Sequence, residues 1–253
     1  MNKTDFRHPK INHGKPLALY IPVSAAHEAT FRDQIAEIFI EQHYAAGKIK
    51  KNMTIIDCGA NIGSASLYFK DWAKVIYALE PNPRNYECLV ENTKKFSNIK
   101  PFCVGLAART TTEFMRNEAN YPIAESLFGT GDIKEEVKLL AIDEFMKSQG
   151  IDHVDLLKMD TEGAEYVIFP SYSFGKVADK IDYIVGEAHY FYALVPEYIP
   201  LILADCGFDT KFMPINNMYL KMSFDDDVVK KNYELKKQTI FFAKRKELPW
   251  PKN

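Results

Sequence analysis

A glycine-rich turn with an acidic residue on either side is the part of the sequence best suited to bind a ligand. The segment Ile55–Ser64 reads IIDCGANIGS, with Asp57 at the end of an apolar run and Gly59 and Gly63 in the turn. Glycine lets the backbone approach a ligand closely, and the first N–H groups of a following helix are free to donate. Glu80 ends the next apolar run and can accept hydrogen bonds from both hydroxyls of an adenosine ribose. Together these features predict an adenosine-cofactor site.

The spacing and charge of the turn separate the classes of adenosine cofactor. A dinucleotide fingerprint has the pattern G-x-G-x-x-G, whereas Asn61 stands at the middle position between Gly59 and Gly63. The turn also lacks the lysine of a phosphate-binding P-loop. Asp57 at the mouth suits a cationic ligand better than a pyrophosphate. The pattern therefore favours S-adenosylmethionine over NAD.

The elements around this turn alternate between short apolar strands and helices. Strands are predicted for MTIIDC, VIYALE, PFCVGLA (Pro101–Ala107), DLLKMD and DYIVGEAH (Asp182–His189). Asn82 is a plausible N-cap of the helix after the second strand, with Pro83 at its first position. Such alternation predicts a doubly wound α/β fold with a mainly parallel sheet. Strands near Phe208–Met213 and at Gln238–Arg245 predict an antiparallel pair at its edge.

Two segments depart from this alternation. Residues 1–50 are interpreted as an N-terminal helical or irregular extension, with a helix across Glu28–Ala46 that Gly47 caps. Residues 51–253 are interpreted as one α/β domain, interrupted by a hairpin-like insertion at about 108–142.

Composition places the chain among ordinary globular proteins. Of its 253 residues 47% are hydrophobic and 26% charged, and the formal net charge of −2 argues against a protein that neutralises many nucleic-acid phosphates. The four cysteines have no C-x-x-C spacing, the N-terminus has no signal-peptide pattern, and no apolar run is long enough to span a membrane. We therefore expect a cytoplasmic protein that binds neither nucleic acid nor membrane.

Four blocks of this sequence resemble the FkbM-type family of S-adenosylmethionine-dependent methyltransferases. In order they are IDCGANIGSASLYF, ALEPNPRNYECLVEN, VDLLKMDTEGAEYVIF and IVGEAH, from about Thr54 to His189. The resemblance implies a class I methyltransferase fold, Rossmann-like, with a seven-stranded sheet whose last strand is antiparallel. It also implies methyl transfer to hydroxyl oxygens of small molecules, sugars or glycans.

The resemblance further implies a cofactor site made of Asp57, Gly59, Asn61, Gly63, Glu80, Asn82, Gly105 and Leu106. The four residues of the turn would surround the methionine moiety and the ribose, and Glu80 would bind the ribose hydroxyls. Asn82 would lie close to the adenosine, while Gly105 and Leu106 would flank the adenine. Asp160 would face the methyl donor and the acceptor.

Catalysis is assigned to Asp160, Glu187 and His189, which stand at predicted strand ends. Transfer to a hydroxyl needs a group that takes its proton, and His189 is the first choice because its unperturbed pKa of about 6.5 suits a base. Glu187 lies two residues before it and so on the same face of a strand. A hydrogen-bonded histidine at the core edge is the alternative for His189. The three side chains could instead hold a divalent metal ion, an alternative that is not favoured over a metal-free site.

In the segment after Asp160, Glu162 and Glu165 are predicted to lie in the first turn of a helix, with Glu162 near the site and Glu165 structural. The aromatic run at 190–192 could line an acceptor pocket or pack in the core. Two other functions remain open, an NAD-dependent oxidoreductase and a non-catalytic nucleoside-binding protein. The identity of the acceptor and the oligomeric state do not follow from the sequence.

Overall fold

A twisted seven-stranded sheet organises the fold of this protein in a computed structural model. The structure describes residues 1–6, 17–22, 25–118, 121–126, 132–189, 195–213 and 239–251. These residues form thirteen strands: β1 (Asn2–Phe6), β2 (Leu17–Ile21), β3 (Met53–Cys58), β4 (Ala73–Leu79), β5 (Ile99–Phe102), β6 (Gly105–Ala107), β7 (Thr111–Glu118), β8 (Tyr121–Ser126), β9 (Ile133–Ala141), β10 (Val154–Met159), β11 (Ile181–Ala188), β12 (Phe208–Phe212) and β13 (Thr239–Arg245). They also form seven helices: α1 (Ala25–Phe39), α2 (Ser64–Phe69), α3 (Pro83–Thr93), α4 (Ile142–Ser148), α5 (Glu165–Ile168), α6 (Tyr172–Gly175) and α7 (Tyr198–Asp205).

The order of the large sheet is β12-β13-β11-β10-β3-β4-β5. Strand β13 is antiparallel to both neighbours, whereas the pairs from β11 to β5 are parallel. The prediction of a doubly wound, mainly parallel seven-stranded sheet with an antiparallel last strand is confirmed. Because β3, β4, β10 and β11 run in parallel, their carboxyl ends meet along one edge of the sheet.

Apolar side chains cover both faces of this sheet. Residues that alternate along each strand divide between two cores, so Ile56 and Leu157 belong to one core and Ile55 and Leu156 to the other. Helices α4 to α7 cover the first face, and α1, α2, α3 and β2 cover the second. The sheet is thereby buried on both sides, which explains why its strands are mainly apolar.

The predicted third strand is divided in the structure. Strand β5 ends at Phe102, and β6 begins at Gly105 and pairs with β9 in a separate four-stranded sheet of order β6-β9-β7-β8. The single strand expected over Pro101–Ala107 is therefore wrong, because the backbone leaves the large sheet at residues 103–104. An apolar run gives no sign of which partner each half will pair with. The antiparallel strands β7, β8 and β9 lie in the range of the expected insertion.

The N-terminal segment also differs from expectation. Helix α1 ends at Phe39 rather than near Ala46, and Gln42 has a positive φ of 58° that turns the chain toward the sheet. A 3-10 turn follows at Ala45–Gly47. A Cβ at Gly47 would lie 2.9 Å from Cδ2 of Leu156, so glycine permits this close approach to β10 instead of capping a helix. Among the described residues, no helix is long and apolar enough to cross a membrane.

Candidate active site

The glycine-rich turn between β3 and α2 has a backbone that few residue types tolerate. Gly59, Asn61 and Gly63 all have positive φ, at 73°, 52° and 93°. A Cβ at Gly59 would lie only 1.7 Å from the carbonyl oxygen of Asp160, so the tip of β10 packs directly on the turn. The turn is therefore packed tightly against the residue that follows β10. Helix α2 begins at Ser64, directly after Gly63 of the turn.

Glu80 is held in a fixed orientation beside this turn. Its Oε2 accepts from the N–H of Asn61 at 2.8 Å, and its Oε1 accepts from the N–H of Asn82 at 2.9 Å. The side chain of Asn85 also hydrogen-bonds to Glu80, and the carboxylate still keeps acceptor capacity beyond these three groups. Burial raises the pKa of Glu80 to about 7, although the two N–H groups lower it. Asn82 caps α3 as predicted, since its side chain accepts from the N–H groups of Arg84 and Asn85.

Three buried side-chain oxygens at the turn have no hydrogen-bond partner in the part of the chain that the structure describes: Oδ1 of Asp57, Oδ1 of Asn61 and Oγ of Ser64. Oδ1 of Asp57 faces Nζ of Lys158 at 3.3 Å, which leaves the pair formed by Oδ1 of Asn61 and Oγ of Ser64. Buried polar atoms in folded proteins are almost always paired, and a pair of unsatisfied atoms at one turn is consistent with a polar ligand there. Their position beside Glu80 fits the ribose and amino-acid groups of S-adenosylmethionine.

A buried lysine links the tips of β3 and β10. Nζ of Lys158 lies 3.3 Å from Oδ1 of Asp57 and 3.3 Å from Oδ2 of Asp160, and it donates to the carbonyl oxygen of Gly59 at 2.8 Å. Asp57 is fully buried and accepts from Oγ of Ser66 at 2.6 Å. Burial lowers the pKa of Lys158, but the charges of Asp160 and Asp57 outweigh it and raise that pKa above its ordinary value. Lys158 is therefore a cation that fixes both carboxylates.

Tyr44, from the N-terminal segment, reaches the same cluster from the opposite side. Its hydroxyl lies 2.7 Å from Oε1 of Glu187 and 3.0 Å from Oδ2 of Asp160, and it can donate its one proton to either carboxyl group. Burial raises the pKa of Tyr44 well above its ordinary value, and the charges of Asp160 and Glu187 raise it further. The Tyr44 hydroxyl therefore stays protonated and bridges the tips of β10 and β11.

Burial and the neighbouring charge of Asp160 raise the pKa of Glu187 to about 7, against the lowering effect of His189. Burial likewise raises the pKa of Asp160, but the Lys158 and His189 cations outweigh it and hold that pKa below its ordinary value. Asp160 is therefore ionised at neutral pH while Glu187 is near the midpoint of its titration, because Lys158 pairs with Asp160 and no lysine among the described residues pairs with Glu187.

His189 follows β11 and points its ring into the cluster. Its Nδ1 lies 3.3 Å from Oε1 of Glu165, which as a carboxylate accepts the Nδ1 proton. Its Nε2 is buried and has no hydrogen-bond partner among the described residues. Burial lowers the pKa of His189, but the charges of Glu162 and Glu165 outweigh it and raise that pKa well above its ordinary value.

The turn after β10 supplies the two glutamates near His189. Glu162 precedes α5 instead of lying in its first turn, and it has a positive φ of 52°. Glu165 is fully buried, and its carboxylate accepts from the N–H groups of Thr161 at 2.7 Å and Gly163 at 2.9 Å. Glu165 therefore holds both the turn and the ring of His189 in place.

The structure brings Asp160, Glu187 and His189 together, with Nε2 of His189 3.7 Å from Asp160 and 3.9 Å from Glu187. Gly59, Asn61, Gly63, Glu80 and Asn82 line the neighbouring turn. Gly105 and Leu106 are both buried, and Leu106 packs in the core below, while residues 102–104 are partly exposed at this edge. The aromatic run at 190–192 lies outside the described residues. All four cysteines are free thiols.

Sequence reasoning missed Tyr44 and Lys158 and left Glu165 without a role in the site. The position of Lys158 could have been recognised from the sequence, because a lysine inside a mainly apolar strand that is buried on both faces needs a partner of opposite charge. Nothing in the sequence indicated a role for Tyr44, since it belongs to the N-terminal extension, far along the chain from the motifs.

Comparison with known proteins places this geometry in a family. The model of the FkbM methyltransferase domain matches residues 57–210, a range that contains the turn, Glu80 and the Asp160–His189 cluster. The chain belongs to the FkbM methyltransferase family.

Two curated relatives of this FkbM domain protein are named as methyltransferases. Methyltransferase sdnD of Sordaria araneosa is 30% identical over 167 residues, which cover 51% of this chain and 64% of that protein. Methyltransferase 1 of Beauveria bassiana (strain ARSEF 2860) is 28% identical over 155 residues, which cover 51% of this chain and 62% of that protein. The matches thus span less than two thirds of either relative. Fibrillarin from Aeropyrum pernix, solved with natively bound S-adenosyl-L-methionine, is 15% identical with a TM-score of 0.47, over 95% of this chain and 82% of that one.

Proposed function

We propose that this FkbM domain protein transfers the methyl group of S-adenosylmethionine to a hydroxyl oxygen of a small molecule or glycan. The observation that carries the proposal is the adjacency of two features. A strained glycine turn with a fixed Glu80 lies beside a cluster of carboxylates and one histidine, and Gly59 packs on the backbone of Asp160. Family membership and the names of the two curated relatives support methyl transfer as the reaction.

The residues of the turn fit this cofactor. Glu80 would accept the ribose hydroxyls, since its carboxylate keeps acceptor capacity beyond the two backbone N–H groups and the Asn85 side chain. Asn61 and Ser64 would pair their unsatisfied oxygens with the ligand. Asp57 is fully buried against Lys158 and Ser66, so its part would be to shape the turn and supply negative charge. Asn82 would lie near the adenosine, and Gly105 and Leu106 would support the adenine from below.

The bound cofactor supplies an electrophilic methyl group on a sulfonium ion. In the transfer, the acceptor oxygen forms a bond to the methyl carbon, the carbon–sulfur bond breaks, and the sulfur keeps that electron pair. The hydroxyl proton passes to a base of the protein. The task of the chain is to align the acceptor oxygen with the methyl group, to exclude water and to take that proton.

Glu187 is our choice for the base among the three residues that the sequence indicated. Among the described residues, no lysine or arginine forms an ion pair with Glu187, whereas Lys158 is paired with Asp160. An uncompensated carboxylate holds a proton more tightly. The hydroxyl of Tyr44 connects Glu187 to Asp160 and so offers a path for the proton within the cluster. His189 was the first choice from sequence, but the charges of Glu162 and Glu165 raise its pKa, so its ring would already hold a proton when nothing else binds Nε2.

Cofactor binding can be tested by calorimetric titration with S-adenosylhomocysteine and, in parallel, with NAD. We expect S-adenosylhomocysteine to bind and NAD not to bind. Glu80→Ala should weaken binding by roughly 10–100-fold, because hydrogen bonds to a charged group are lost. Glu91→Ala is the matched control, since Glu91 forms a surface contact with Lys94 in α3 and should bind as wild type does. Binding of NAD alone, or binding indifferent to Glu80, would refute the proposal.

The base can be tested by mass-spectrometric detection of O-methyl products from a panel of hydroxyl compounds. Glu187→Gln should retain affinity for S-adenosylhomocysteine but lose turnover by roughly 100-fold or more. Turnover that survives in Glu187→Gln and disappears in His189→Gln would return the role of base to His189.

A further inference from the structure

We propose that Asp160, Glu162 and His189 form a binding site for one divalent transition-metal ion. Oδ1 of Asp160 and Oε2 of Glu162 lie 3.7 Å and 3.6 Å from Nε2 of His189. One ligand atom from each residue can be chosen so that all three lie within 4.8 Å of one another. These spacings are too long for hydrogen bonds. Bonds from an ion to imidazole nitrogen or carboxylate oxygen are about 2.0–2.2 Å, so two ligands of one ion lie roughly 3–4 Å apart.

The state of His189 points independently to a ligand at this position. The residue is only 8% exposed, and its Nε2 is buried without a hydrogen-bond partner in the described parts of the chain. Nδ1 faces the carboxylate of Glu165 at 3.3 Å, so in the neutral ring the lone pair is on Nε2 and is aimed at Asp160 and Glu162. A histidine whose other nitrogen donates to a carboxylate is the usual arrangement of a metal ligand.

The ligand set indicates the class of ion. Two carboxylate oxygens and one imidazole nitrogen suit a first-row divalent transition-metal ion such as Mn²⁺, Fe²⁺ or Zn²⁺, whereas Mg²⁺ and Ca²⁺ prefer oxygen ligands alone. Glu162 is on the exposed rim, with its side chain 49% exposed, while Asp160 and His189 lie deeper. Three protein ligands leave coordination positions open on the side of the crevice.

A second cluster of histidine and carboxylates lies on the surface and differs from the proposed metal site. His153, Asp155 and Asp182 also lie within reach of a common ion, on the surface of the protein. Nζ of Lys50 is 2.5 Å from Oδ1 of Asp155, so a lysine already neutralises that cluster. At the proposed site Lys158 pairs with Oδ2 of Asp160, whereas the other oxygen of Asp160, Oδ1, faces Nε2 of His189 at 3.7 Å.

The role of the ion rests on the proposed function, whereas its binding does not. An ion at this place would hold the acceptor hydroxyl in an open position and lower the pKa of that hydroxyl, and the proton would then pass to Glu187. His189 would be a ligand in this arrangement, which leaves Glu187 as the base.

The binding of Mn²⁺ alone tests the site. Chelator-treated protein is titrated with MnCl₂ by calorimetry, and electron paramagnetic resonance of unbound Mn²⁺ counts the ions held per chain. We expect one Mn²⁺ ion per wild-type chain. Loss of a residue that only supports a metal ligand typically weakens metal binding by roughly 10–100-fold. Because Glu162 would itself bind the ion, Glu162→Gln should weaken Mn²⁺ binding by more than that. Asp182→Asn, in the second cluster, is the matched control and should bind as wild type does.

Wild-type protein that binds no Mn²⁺, or binding that Asp182→Asn removes and Glu162→Gln does not, would overturn the site. Titration with S-adenosylhomocysteine on the same metal-free samples separates this outcome from failure of the proposed function. Cofactor binding without Mn²⁺ binding refutes the metal site alone, and Mn²⁺ binding without cofactor binding refutes the methyltransferase alone. Glu162 lies on the rim, so its substitution should leave the fold intact, which near-ultraviolet circular dichroism will verify.

Discussion

The hydroxyl of Tyr44 lies 2.7 Å from Oε1 of Glu187, although 143 residues separate them along the chain. The same hydroxyl is 3.0 Å from Oδ2 of Asp160. Because a hydroxyl has one proton, both contacts are satisfied at once when Glu187 is protonated and donates to Tyr44, which then donates to Asp160. This agrees with the pKa of Glu187, which burial and Asp160 raise to about 7. The N-terminal segment thus completes the candidate active site.

Removal of this hydroxyl should affect both stability and turnover. Tyr44→Phe leaves the buried Glu187 without its hydrogen-bond partner, so we expect a loss of about 1–3 kcal/mol in the free energy of unfolding, measured by urea denaturation. Methyl transfer should fall while affinity for S-adenosylhomocysteine stays unchanged. Tyr68→Phe is the matched control, because the Tyr68 hydroxyl is buried without a hydrogen-bond partner among the described residues. Equal effects of the two substitutions would contradict the role of Tyr44.

The contact between Gly59 and Asp160 can be separated from backbone strain. Gly59→Ala would place a Cβ 1.7 Å from the Asp160 carbonyl oxygen, at a φ of +73°. Gly207 has a similar φ of +89° but no atom within 4 Å of an added Cβ, so Gly207→Ala measures strain alone. We expect about 1–2 kcal/mol for Gly207→Ala and more than about 4 kcal/mol for Gly59→Ala, from urea denaturation. Similar costs would show that the turn and β10 are not tightly packed.

The raised pKa of Glu80 predicts how cofactor binding depends on pH. Ionised Glu80 accepts ribose hydroxyls best, so affinity for S-adenosylhomocysteine should increase about tenfold between about pH 6 and pH 8. Glu80→Gln should bind more weakly and lose this dependence. The affinities are measured by calorimetry at the two pH values. A wild-type affinity that does not change between them would contradict the role of Glu80 in binding the ribose hydroxyls.

The raised pKa of Glu80 also makes the free energy of unfolding depend on pH. The pKa of Glu80 is about 7 in the folded protein and 4.5 ordinarily, so between these values the folded protein holds a proton that the unfolded chain has released. The contribution of Glu80 to stability therefore decreases as pH rises through this interval. In urea denaturation, the stability of Glu80→Gln relative to wild type should rise from about pH 5 to about pH 8.

Lys158 should be among the most costly charges to remove. Lys158→Met leaves Asp57 and Asp160 buried without their cation, and we expect a loss of about 3–5 kcal/mol in the free energy of unfolding. Lys244→Met is the control, because its partner Asp209 is 47% exposed and remains solvated, so the cost should be at most about 1 kcal/mol. The loss in Lys158→Met should be smaller at low pH, where the carboxylates can take protons.

Much of the fold followed from the pattern of apolar residues. Strands β3, β4, β10 and β11 could be predicted because a strand covered on both faces is mainly apolar, and parallel strands bring their carboxyl ends to one edge. The cap at Asn82 was equally readable, since capping depends on residues within one turn of each other. The division of the third strand at residues 103–104 was not, because pairing with β9 depends on a remote partner.

The sequence by itself determined the type of sheet, the glycine turn and the acidic residues around it, because these depend on neighbours along the chain. Only the tertiary structure placed Tyr44 between Asp160 and Glu187, paired Lys158 with two carboxylates and turned Nε2 of His189 toward Asp160 and Glu162. Those contacts arise where distant segments pack on one strand edge. Periodicity within a segment records which face is buried but not which side chain it will meet.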